Sequence, residues 1–290
     1  MPMAKKFLSG KGSSPLVLIL CLLLSCGAFM GLKFKIDRIS RAKVPGASII
    51  YIPSGKFLKY ATFGYSSMAA DLVYLWAIQY FSNTSVPERF DNLEHVFSII
   101  AELDPRYVDP YEVGSLIAIY DSKDFDTAFK ILDRGLEKNP DQWIFPFDAG
   151  HYAQMMKKDW ELAQKYYQKV MAIPGSPEIA KRLYADAAFK LTDYRTAWET
   201  WLEVYQTAKD ERIKKFASNH LYQIKAAIDT EAIQEAVEKF RERFGRNPSD
   251  LDQLVRTRLL SALPQDLDGG DYLYDPQTGE VKPPKSPWKR

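Results

Sequence analysis

From residue 65 to residue 244, apolar side chains recur at helical spacing in stretches broken by short polar turns. The pattern predicts a long helix over Tyr65–Phe81 and a second over Pro87–Leu103. Pro87 falls in the first turn, where a missing N–H costs nothing. Helix pairs follow: Asp109–Tyr120 with Phe125–Glu137, Phe145–Met156 with Trp160–Met171, and Pro177–Lys190 with Tyr194–Ala208. A last pair is expected over Glu211–Ile228 and Glu231–Phe244, with Asp229-Thr230 placed to cap its second helix. Leu251, Leu254, Val255, Leu259 and Leu260 space one more short amphipathic helix. A turn at Asp275–Gly279 before Glu280-Val281 predicts a small C-terminal hairpin.

Within this pattern one phrase returns three times. It reads Asp, aromatic, any, any, Ala at Asp124–Ala128, Asp159–Ala163 and Asp193–Ala197. The steps from Ala to Ala are 35 and 34 residues, and Pro105, Pro140 and Pro174 recur in step with them. Phe90 and Leu93 form a degenerate earlier copy. A period near 34 is the length of a helix–turn–helix unit that buries its apolar face only by stacking on copies of itself.

These marks resemble the tetratricopeptide repeat family. Ala128, Ala163 and Ala197 match the family's small residue where the two helices approach, and Leu132, Tyr167 and Trp201 match the large apolar residue one turn later. Gly135 fits a further small position that Val170 and Val204 also occupy, and Gly150 and Ala185 lie near the small residue of the first helix. The resemblance implies an all-α fold, a right-handed superhelical array of antiparallel helix pairs over residues 65–244. It further implies a concave face that binds a protein or peptide partner. In the family register that face carries Val113, Ile117, Tyr120, Tyr152, Met155, Arg182, Asp186, Phe189 and His220.

Leu16–Leu32 is a 17-residue run without a charged side chain, preceded by a basic tail over residues 1–15. At about 1.5 Å per residue it nearly spans a bilayer core of roughly 30 Å, which predicts an N-terminal transmembrane helix. An export signal is the competing reading. Leu23-Leu24-Ser25-Cys26 resembles the lipobox of bacterial lipoproteins, in which Cys26 would be acylated. The apolar run continues past Cys26, which favours a retained anchor. The expected location is therefore the bacterial inner membrane, single-pass, with the body in the periplasm. A lipoprotein or a cytoplasm-facing body are the alternatives. Residues 33–64 read as a linker, with strand-like character at Ser48–Ile52.

Composition narrows the chemistry. Of 290 residues 46% are hydrophobic and 26% charged, and the net charge is +2, so nothing points to nucleic acid. Both cysteines, Cys21 and Cys26, lie in the apolar run, which excludes a disulfide framework and a cysteine-ligated metal in the body. No zinc-protease helix, nucleophile elbow or dinucleotide fingerprint occurs. His95, His151 and His220 fall in separate predicted helices without ligand spacing. Asp71 sits alone on an apolar helix, where hydrogen bonding or solvent explains an acid better than catalysis.

The one candidate metal cluster is Asp266, Asp268 and Asp271, three carboxylates in six residues with two glycines, although position 12 of such a loop is Gln277. That segment belongs to a C-terminal helix and hairpin module over residues 245–281. Its Leu-Pro, Asp-Gly-Gly, Tyr-x-Tyr and Thr-Gly elements resemble the end of type II secretion pseudopilins. Residues 282–290 are expected to be disordered. The sequence thus predicts a non-enzymatic, membrane-anchored adaptor without cofactor or small-molecule substrate, possible setting a secretion or pilus-type envelope system. A calcium-dependent factor or enzyme using the Asp cluster, and a purely structural spacer, remain open.

Overall fold

The computed structural model describes residues 15–37, 52–86, 88–286 and 288, with side chains in the first segment from Ile19 to Lys35. The basic tail before residue 15, most of the strand-like linker, Pro87, and the end of the chain at Pro287, Lys289 and Arg290 lie outside the described residues. The chain divides into two units, residues 1–51 and 52–290. In the first, helix α1 (Pro15–Asp37) has 23 residues and its described leucines and phenylalanines are exposed all round. Cys21 and Cys26 are free and exposed. Among the described residues no helix is long and apolar enough to cross a membrane.

The second unit is helical apart from one small hairpin. Its helices are α2 (Gly55–Ala61), α3 (Ser66–Ser82), α4 (Leu93–Leu103), α5 (Val108–Leu116), α6 (Phe125–Lys138), α7 (Ile144–Tyr152), α8 (Trp160–Met171), α9 (Ile179–Lys190), α10 (Tyr194–Thr207), α11 (Glu211–Phe244) and α12 (Asp252–Arg256). α5 and α7 each run on into a π-helical turn, Ile117–Ser122 and Ala153–Lys157. From α3 to α11 every helix packs on its neighbour in the chain, and α2 packs on α4.

The repeated phrase is a turn chemistry. Lys123, Lys158 and Thr192 take a left-handed backbone with φ near 60° and end the first helix of each pair. The following Asp then donates its N–H back to that helix: Asp124 to the Ala118 carbonyl, Asp159 to that of Ala153, Asp193 to that of Ala188. Its carboxylate accepts from the N–H three residues on, at 3.0 Å from Thr127, 3.0 Å from Leu162 and 3.1 Å from Thr196. One residue thereby closes one helix and caps the next. Ala128, Ala163 and Ala197 follow, all with no exposed surface. On the first helices Gly114 and Gly150 are equally cramped. A Cβ at Gly114 would lie 2.8 Å from the Phe97 ring, and one at Gly150 2.8 Å from the Tyr167 ring.

Three expected elements differ. α4 starts at Leu93, and Glu88–Asn92 form turns. Gly55–Ala61, assigned to a linker by sequence, is helix α2. The break expected at Asp229-Thr230 is absent, and α11 runs unbroken for 34 residues. No Gly or Pro lies between Glu211 and Phe244. The Asp229 carboxylate also has other partners, the Tyr272 hydroxyl at 2.7 Å and the Lys225 ammonium.

Strands β1 (Leu273–Asp275) and β2 (Glu280–Lys282) pair antiparallel with Tyr274 opposite Val281. Tyr272 and Val281 join Leu254 of α12 and Ile233, Val237 and Phe240 of α11 in a local core. The segment expected to be disordered is partly placed. Lys282 belongs to β2, Lys285 lies 3.5 Å from Asp268, and Trp288 rests on two aromatic rings of α11.

Candidate partner-binding face

The residues expected to grip a partner lie on α5, α7 and the π-helical turns that follow them, on α9 and on the first half of α11. Tyr120 and Met155 are exposed, and Val113, Ile117, Arg182, Asp186, Phe189 and His220 are half-buried. Tyr152 departs from the expectation of an open contact. It is only 4% exposed, and its ring meets Tyr120 edge-on at 6.4 Å. Burial pushes its hydroxyl up to about 12. It is a core tyrosine whose neighbour Tyr120 reaches the surface.

Polar groups that the sequence reading left out connect these positions. Glu112 of α5 and Asp148 of α7 each lie two residues before the close-packed Gly114 and Gly150, and Asp186 of α9 lies one residue after Ala185. Burial raises the Glu112 carboxyl, and the charge of Asp109 adds to it. Burial raises Asp148 to about 6, with the Glu112 charge a smaller cause. Burial likewise raises Asp186 to about 6, although Lys190 and Arg182 pull the other way. Next to Asp186, Tyr167 donates its hydroxyl hydrogen to Gln154 Oε1 at 2.6 Å.

At the α11 end the row turns aromatic. His220 stacks flat on the fully buried Trp201, ring centres 4.0 Å apart and planes within 4°. Its Nδ1 lies 3.5 Å from an Asp186 oxygen. That distance resembles an ion pair, but burial lowers the imidazole to about 4. We therefore assign a neutral ring at pH 7, because desolvation without a short bond disfavours the cation. Phe216 and Trp288 close over the ring edge, at 4.7 Å and 5.0 Å. Trp201 Nε1 and His220 Nε2 are buried without a hydrogen-bond partner among the described residues.

The proposed metal cluster does not assemble. Asp266 turns inward, accepting from the Tyr222 hydroxyl at 2.7 Å and from the N–H groups of Asp268 and Gly270. Asp268 lies beside Lys285, and Asp271 accepts from the Gln265 side chain. Loop closure has used Asp266 as its own anchor, and among the described residues no group of three or more His, Cys, Asp or Glu could hold a metal ion. A cleft of about 360 Å³ opens beside α12 and the hairpin, lined by Ile233, Leu251, Asp252, Asp271, Tyr272 and Tyr274 among others. The titratable side chains among the described residues lining it are Asp250, Asp252, Asp271, Tyr272 and Tyr274.

The fold and this face define a predominantly helical protein with a desolvated acid–aromatic row on successive helices. No protein family model and no curated protein sequence matches the chain.

Proposed function

We propose that the chain is a non-enzymatic adaptor, held at a membrane by α1, whose helix pairs form a tetratricopeptide-like array that binds a protein or peptide. The buried Ala128, Ala163 and Ala197 and the three identical Asp caps support the array. The apolar, exposed side chains of α1 support the anchor. The body faces the periplasm in this reading, and a secretion or pilus-type envelope system is the setting that the tail resemblance suggests.

The observation that carries the binding role is the pair Glu112 and Asp148. Both are partly desolvated, and the charged neighbours that shift them are acids. Such groups cost stability in the free protein, and a partner's Lys, Arg or N–H groups would offset that cost. The partner is therefore a basic or donor-rich segment, seated beside Tyr120 and Met155.

Photocrosslinkers at Tyr120 and Met155 in intact cells test this. A discrete adduct that disappears with Asp148→Lys and Asp186→Lys is expected. An adduct indifferent to both charges rejects the face. A C-terminal phosphatase fusion that is silent while a cytosolic reporter is active would reject the periplasmic orientation.

A further inference from the structure

α2 and α3 carry apolar side chains on the side turned away from the core. α2 is tied down on its inner side. Gly55 is buried so tightly that a Cβ would lie 2.6 Å from Glu102 Cβ, and the Lys56 N–H donates to Glu102 Oε2 at 2.8 Å. His95 Nε2 lies 3.2 Å from the Ile52 carbonyl. This fixes Phe57 and Tyr60 outward, with Tyr60 85% exposed. Phe63 follows at φ 49° and is 90% exposed. A left-handed backbone is unfavourable for an aromatic residue, and Phe63 makes no ring–ring contact among the described residues.

α3 follows after a short turn at residues 62–65. Its buried face is Ala70, Tyr74, Ala77 and Phe81, and its opposite face shows Met68, Leu72 and Leu75, with Leu72 60% exposed. A helix apolar on both sides is normally covered on both. Asp71 borders this face, and its charge, after burial, raises the nearby Tyr107 hydroxyl.

Charge and composition identify the cover. Residues 52–70 contain Lys56 and Lys59 and no Asp or Glu, and both lysines are exposed. Protein interfaces are depleted in Lys, whereas exposed Tyr and Phe beside Lys suit the headgroup layer of a bilayer. α1 ends at Asp37, 17 residues before Gly55 (38–54), a tether of at most about 60 Å fully extended. We infer that the outer face of α2 and α3, centred on Phe57, Tyr60, Phe63, Met68, Leu72 and Leu75, is a lipid-contacting surface that seats the body on the bilayer.

The inference rests on the membrane reading of α1, so the test separates the two. Full-length protein carrying Cys21→Ser and Cys26→Ser is reconstituted into vesicles of neutral and anionic phospholipid. A bimane label is placed singly at Tyr60→Cys, Leu72→Cys, Leu24→Cys or, as control on α11, Lys239→Cys. Lipids spin-labelled at shallow or deep positions serve as quenchers. Loss of most emission at 60 and 72 with shallow quenchers, and none at 239, is expected. Deep quenching at 24 with none at 60 and 72 overturns the seat and keeps the anchor. Quenching at 60 and 72 without any at 24 keeps the seat and overturns the anchor. Labels at 60 and 72 shielded from aqueous iodide yet not quenched by lipid mean a protein covers the face, which also overturns the inference.

Discussion

Asp148 and Asp186 hold their carboxyl groups near 6 because burial penalises the charge. The folded chain therefore binds more protons than the unfolded one between about pH 4 and pH 6, and stability falls as pH rises through that window. Asp148→Asn should stabilise the fold at pH 7.5 by about 1–2 kcal/mol, less than the full shift implies because the group is partly solvated. The gain should vanish near pH 4, and urea titrations at the two pH values check it. An equal effect at both would mean that packing, not charge, is responsible. The same variant should weaken partner binding, the usual exchange of stability for function. His220 runs the other way. Its folded value near 4 lies below the ordinary 6.5, so its contribution is lost as pH falls below about 6.5. Asp124, Asp159 and Asp193 each cap a helix, and replacing any one by Ala should cost about 1 kcal/mol.

At the level of helices, the pairs from α5 to α10 are legible in sequence because Asp, the aromatic and Ala each meet a local need. The Asp closes and caps, and the Ala admits a neighbouring helix. The small residues of the first helices obey the same rule in space. Gly150→Ala should destabilise by about 1–3 kcal/mol, opposite to the usual gain from Gly to Ala inside a helix, because the new methyl meets Tyr167 at 2.8 Å. Thermal unfolding decides the sign, and a stabilised variant would show that Tyr167 yields easily. What escaped the sequence depended on distant partners. Asp229 resembles a cap until Tyr272, 43 residues away, takes its carboxylate. Tyr272→Phe should cost about 0.5–1.5 kcal/mol, because one hydrogen bond is lost while Lys225 still donates to the same oxygen. α2 was hidden because seven residues give too little periodicity, and its position is set by Glu102 and His95 of α4. Glu112 and Asp148 were legible only as a weak 36-residue echo, and nothing local marks them as desolvated. The burial of Tyr152 was not legible because it depends on Tyr120 and on helix packing, which no local pattern marks.

Across the second unit, the chain returns on itself along α11. Gln234 donates to the Gly279 carbonyl, Tyr222 to Asp266, and Trp288 ends beside His220 and Phe216. The last described residue of the chain thus sits at the end of the acid–aromatic row. Trp288 keeps half its surface exposed, so its hold is modest, yet its ring stands at 83° over the imidazole and limits water there. Removing it should leave the stack on Trp201 intact and rehydrate the His220 edge. Trp288→Ala is therefore expected to raise the His220 value from about 4 toward 6.5, read by the imidazole proton shifts in a pH titration by NMR. Stability in urea should change little, because Trp288 contributes to no buried core cluster. An unchanged imidazole titration would show that Trp201, Phe216 and the helix packing alone dehydrate the ring. The tail would then be a passenger on α11, with no influence on the face beside it.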